Sequence, residues 1–170
     1  MLFKRKWLFL IMLLSLLTAC TGTLEEETEK AKEQAVEVFE AKAKNANVEK
    51  ETLSLYLPHG IEVDETDPNN VILTRGDKLY LLFINPNEDE KSQVVYEATA
   101  ETGEDYLLNE TFQSDDRFGY IVLKEVEEDV YELTVGIGGI KLTTETNKKD
   151  LADDAGMMME IVSSVQLQNG

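Results

Sequence analysis

The run Leu79 to Ile84, "LYLLFI", is apolar at every position. A strand with one face in water carries a polar residue at every second place. A strand without such places is covered on both sides, so this run predicts a central strand between two layers. Val71 to Thr74 precedes it across Arg75-Gly76-Asp77-Lys78. Gly76-Asp77 suits a two-residue hairpin turn, and the two segments are expected to pair antiparallel.

Other elements follow from periodicity. Thr23 with Glu26 forms a capping-box pattern, and Leu24, Ala31, Ala35, Val38 and Phe39 fall near one face of a helix expected to run to about Lys44. Lys42 and Lys44 are placed in its last turn, where cations suit the helix dipole. Leu53, Leu55 and Leu57 alternate with Thr52, Ser54 and Tyr56 as in a strand that ends at the turn Pro58-His59-Gly60. Asp64 to Asn70 and Asn85 to Glu90 read as polar loops. Gln93 to Ala98 and Tyr106 to Phe112 read as weaker strands. Phe118 to Glu125 and Val130 to Val135 form a second hairpin pattern around Glu127-Glu128-Asp129. Gly138-Gly139 shifts the apolar phase between Ile137 and Ile140. Either a bulge or a tight turn does that, and the bulge is the preferred reading. Leu151, Ala155, Met158, Val162 and Val165 recur at helical spacing after Asn147 and Asp150, which can cap the helix. The fold class predicted is α+β: an antiparallel sheet of about six to eight strands with an N-terminal and a C-terminal helix, as an α/β/α sandwich.

The N-terminus has a different logic. Lys4, Arg5 and Lys6 precede the apolar run Trp7 to Leu17, and Leu17-Thr18-Ala19-Cys20 follows. The run is short of the roughly 20 residues that span a bilayer as a helix, and it fits the apolar region of a secretory leader. The four residues resemble the bacterial lipobox. That resemblance implies a diacylglyceryl group on Cys20 and cleavage before it, giving a leader over 1–19, a lipid-anchored stem over 20–29 and one α+β domain over 30–170. Two acyl chains anchor firmly, at about 0.8 kcal/mol per buried methylene. The expected location is the outer face of a cell membrane, in a Gram-positive cell. Cys20 is the only cysteine, so the domain has no intrachain disulfide and stands on its core.

Over about Thr52 to Val165, the early "LSLYLPHGIEV", the long "VYELTVGIGGIKLTTET" and the closing "EIVSSV" resemble the PsbP-like family. The resemblance implies binding or assembly in preference to catalysis. The pattern is also similar to sheet-and-helix domains found outside the membrane in sporulating bacteria.

Charge and chemistry agree with a binding role. The chain has 34 acidic against 16 basic side chains and a net charge of −18, more negative still once the three basic leader residues are lost. Such a surface repels nucleic acid and anionic lipid headgroups. His59, the only histidine, sits in a Pro-His-Gly turn and reads as an exposed loop residue. No Gly-x-Ser-x-Gly elbow supports any of the serines. Gly136 to Lys141 lacks the Gly-Lys-Ser/Thr order of a phosphate loop. The acidic segments lack EF-hand order, since Glu90 stands where glycine is needed and Tyr96 where glutamate is. Met157 to Met159 reads as core, not as a soft-metal site. No catalytic residue, metal or cofactor is therefore expected. The partner expected besides the membrane is another envelope protein or a small ligand, with an envelope hydrolase or a cation-binding module as alternatives. The candidate contact residues are Asp64, Glu65, Asp67 and Asn69 in one loop and Asn87, Glu88 and Asp89 in the other, because loops on a rigid sheet commonly carry recognition.

Overall fold

A computed structural model describes residues 22–67, 69–100 and 105–168. The expected leader and the lipidation position Cys20 lie outside the described residues. Ten strands and three helices follow one another along the described chain.

Helix α1 spans Leu24–Glu40. The capping box at its start is present: Glu26 N–H donates to Thr23 Oγ1 at 3.2 Å and Thr23 N–H donates to Glu26 Oε2 at 3.0 Å. Residues 24–29, read as stem, are thus helical, and Leu24 packs against the core. The helix ends four residues before Lys44, the end expected from sequence. Ala41 is extended and serves as its C-cap. The cation at this end comes from far along the chain: Arg117 donates to the Phe39 carbonyl at 2.6 Å. Lys44 instead pairs with Glu160 at 2.5 Å.

Strands β1 (Val48–Glu49), β2 (Leu53–Leu55) and, from the far end of the chain, β10 (Gln166–Leu167) form a small sheet. The main sheet has seven antiparallel strands in the order β3 (Glu62–Asp67), β4 (Asn70–Arg75), β5 (Lys78–Ile84), β9 (Ile140–Thr146), β8 (Val130–Ile137), β7 (Phe118–Glu127) and β6 (Leu108–Gln113). The hairpin at Gly76-Asp77 has the expected form: Arg75 faces Lys78, and Gly76 has φ +61°.

Three further expectations, about segments between β3 and β9, need correction. Asp64 to Asp67 belong to edge strand β3, not to a loop; Val63 packs on the core opposite Leu73, and a bulge at Asp64 interrupts the pairing. The exposed acids on this edge discourage strand addition by another chain. Gln93 to Ala98 is not a strand. Helix α2, Val94–Ala100, occupies it, because docking Val95 and Tyr96 onto the sheet outweighs the strand preference of β-branched residues. Gly138-Gly139 is a tight turn and not a bulge. Ile137 pairs with Ile140 across it, and Gly138 has φ +54°.

Helix α3, Leu151–Ser164, packs along α1, and both lie on one face of the main sheet. Its N-cap Asp150 makes no side-chain capping bond; Asn147 holds that carboxylate at 2.7 Å instead. The core lies between these helices and Tyr80, Leu82, Leu123, Leu133, Val135 and Leu142. The opposite, outer face is sheltered over β6 and β7 by α2. Tyr96 stacks there on Phe118 and Tyr120, with ring centroids 5.5 and 5.3 Å apart. The sheet therefore has helices on both faces, but the outer layer is short. Leu79 and Leu81 of β5 lie beyond it and are 60% and 47% exposed, against the expectation that the whole run Leu79 to Ile84 is covered on both sides.

Candidate functional site

The acidic residues expected to make contacts are gathered only in part. Asp64, Glu65 and Asp67 lie exposed along β3, and Asn69 lies in the turn that follows. Ile84 N–H donates to the Asn69 carbonyl at 2.9 Å, which brings that turn to the end of β5. The segment holding Asn87, Glu88 and Asp89 is pinned at the same end. Asn85 N–H donates to Gly139 O at 2.8 Å, and Gly139 N–H donates to Asp89 O at 3.2 Å. Lys91 N–H and Asn87 N–H turn inward onto Asp89 Oδ1 and Asn85 Oδ1. This end is thus a tied turn, not a set of carboxylates converging on a point. Among the described residues, no three His, Cys, Asp or Glu side chains gather as metal ligands. His59 is exposed in its turn, and Met158 and Met159 are buried in the core.

The densest polar cluster was not foreseen. Asp154, in the first turn of α3, is 5% exposed and reaches the sheet. Lys78 and Thr146 both donate to its Oδ2, and the Tyr80 hydroxyl donates to Oδ1 at 3.3 Å. Lys78 also donates to Thr146 Oγ1 at 2.9 Å. Burial, then the Asp154 carboxylate, holds the Tyr80 phenol well above its ordinary pKa. These bonds all run within the chain, so the cluster fastens α3 to β5 and β9.

One concave surface lies on the outer sheet face, and another of about 690 Å³ lies between the start of α1 and Leu107-Leu108. Across β5, β9 and β8, a groove of about 680 Å³ is floored by Leu79, Leu81 and Thr143 and edged by Asp77, Glu132 and Glu145. Leu81 pairs with Thr143 in register, and Ile72 of β4 pairs with Leu81, so the apolar floor continues toward the edge. Two residues along the same strands, about 7 Å away, Phe83 pairs with Lys141. These two residues open a second cavity of about 250 Å³ beneath α2, with Asn85, Val94, Val95 and Ala98 as its other walls. Lys141 donates to Thr99 Oγ1 at 3.1 Å. Burial pulls the Lys141 pKa below the usual lysine value, against the opposing pull of Glu132.

The arrangement suits binding: an apolar floor, an acidic rim and rigid strands beneath. The signal that could have located it was the polarity of Lys141, Thr143 and Glu145. These three share one face of β9 and stand beside Leu81 and Phe83, so that face was never a sealed layer.

No protein-family model matches this chain, and no curated protein does. Among solved structures, it is similar to cyanobacterial PsbP (CyanoP) from Synechocystis sp. PCC 6803, at 12% identity and a TM-score of 0.42, over 74% of this chain and 98% of that one. It is also similar to a protein from Bacteroides thetaiotaomicron VPI-5482, at 11% identity and a TM-score of 0.34, over 69% of this chain and 45% of that one.

Proposed function

We propose that this chain is an extracytoplasmic binding module, held at the membrane by lipid on Cys20, whose outer sheet face receives another envelope protein. The observation that carries the reading is the pair Leu79 and Leu81. Two large apolar side chains stand in solvent at the floor of a groove whose rim includes Asp77, Glu132 and Glu145. An exposed apolar floor inside a polar rim is the anatomy of a protein contact site. The rim charges favour a partner that presents an apolar side chain flanked by lysine or arginine, and the net charge of −18 steers such a partner inward. A lipid tether adds effective concentration for a partner in the same membrane.

The test is to pan a random peptide library against the chain and against the double variant Leu79→Ser/Leu81→Ser. The expected peptides carry an aliphatic or aromatic residue beside basic ones and lose binding to the variant. Peptides without that composition, or equal recovery on both proteins, would sink the reading.

A further inference from the structure

The smaller cavity beneath α2 has an excess of hydrogen-bond donors. A lysine ammonium has three N–H donors and no acceptor, and Lys141 spends one of them on Thr99 Oγ1. That hydroxyl itself donates to Val95 O at 2.7 Å. Among the described residues Lys141 has no ion-pair partner; the nearby Glu132 carboxylate is held by Lys124 at 3.1 Å. The Tyr120 ring lies across Gly136, the register partner of Lys141: a Cβ on Gly136 would fall 2.4 Å from the Tyr120 hydroxyl oxygen. Tyr120 is fully buried, and its hydroxyl makes no hydrogen bond of good geometry, although Thr99 is close enough to influence it. Two donor groups therefore meet around one threonine oxygen, and one of them, Lys141, lines the cavity with Phe83, Val94, Val95 and Ala98. The Tyr120 hydroxyl, a buried donor left without an acceptor, costs free energy, and Lys141 beside it is only half-buried. A chain with 34 carboxylates that brings none of the described ones to this lysine leaves that place for an acceptor from outside.

We propose that this cavity binds a small carboxylate with a hydrocarbon body, the carboxylate on Lys141 and the hydrocarbon against Phe83 and the apolar face of α2. An enclosed apolar cavity of about 150 Å³ takes up benzene, so the 250 Å³ of this open-sided one has room for a short alkyl chain or one ring together with a carboxylate. The proposal is independent of the partner groove, because it uses different walls and a different charge.

Hexanoate is the probe, titrated into the full chain while the NMR signals of Phe83 and the Lys141 side chain are followed. The expected result is saturable binding with a dissociation constant on the order of 1 mM or tighter. Acetate, which lacks the chain, and hexan-1-ol, which lacks the charge, bind about tenfold more weakly or worse. Lys141→Met keeps the aliphatic stem and loses about tenfold in hexanoate affinity, whereas Lys91→Met, at an exposed site, loses none. Ala98→Leu keeps a good helix former on exposed α2 and fills the cavity, so it abolishes binding. Unchanged hexanoate affinity in Lys141→Met or in Ala98→Leu overturns the proposal, as does the lack of a saturable shift in the parent chain.

Discussion

Leu81 and Leu82 are neighbours in β5 and meet opposite surroundings. Leu82 is fully buried beneath the two long helices, whereas Leu81 is 47% exposed on the outer face. The strand alternates its side chains between faces, and only one face at this point has a layer over it. Leu82→Ala is expected to cost about 2–5 kcal/mol through lost burial and a cavity. Leu81→Ala is expected to cost less than about 1 kcal/mol, as surface changes do. Denaturant melts of the two variants measure the difference; equal costs would mean that the outer face is covered after all.

Asp154 gives a second prediction. Removing one member of a buried, hydrogen-bonded charge pair leaves the other uncompensated. Asp154→Leu should destabilise by about 3 kcal/mol, because Lys78, Tyr80 and Thr146 all donate to that carboxylate. Adding Lys78→Met should restore part of the loss, since the stranded cation is then gone. A double variant less stable than the single one in the same melt would show that the charge pair is not what makes Asp154 matter.

Two glycines with positive φ should respond unequally. At Gly76 (φ +61°) an added Cβ meets nothing within 4 Å, so Gly76→Ala costs only the left-handed backbone penalty of about 1 kcal/mol. At Gly138 (φ +54°) the same atom would fall 2.1 Å from the Asp89 carbonyl oxygen. Gly138→Ala should therefore cost about 1–3 kcal/mol more, by displacing the segment tied to Gly139. Thermal melts compare the two, and a Gly138→Ala loss no larger than that of Gly76→Ala would contradict the close packing of this turn.

The parts of the fold that were legible in the sequence are those whose signal is local. The Thr23–Glu26 box and the spacing of Leu151, Ala155, Met158 and Val162 need nothing beyond their own helices. The parts that were missed depend on remote contacts. The end of α1 is set beside Arg117, 78 positions from Phe39. The acids of β3 form a strand because Val63 reaches the core opposite Leu73. Val94 to Ala100 is helical because Tyr96 finds Phe118 and Tyr120 on the sheet. The groove was hidden for a related reason: an unbroken apolar strand shows that neither face is polar, but not that both are covered.

Docking of a partner on the outer face around Leu81 can be read from photo-crosslinks: a benzophenone side chain is placed at position 81 and, separately, at Glu65 on β3, in the full chain in its native envelope, and each is illuminated. Docking on the outer face predicts one discrete crosslinked species from position 81, displaced by an excess of the selected basic-flanked peptide, and no such species from position 65. A discrete species from position 65 alone, or none from position 81, would contradict the claim and return the acidic edge to first place.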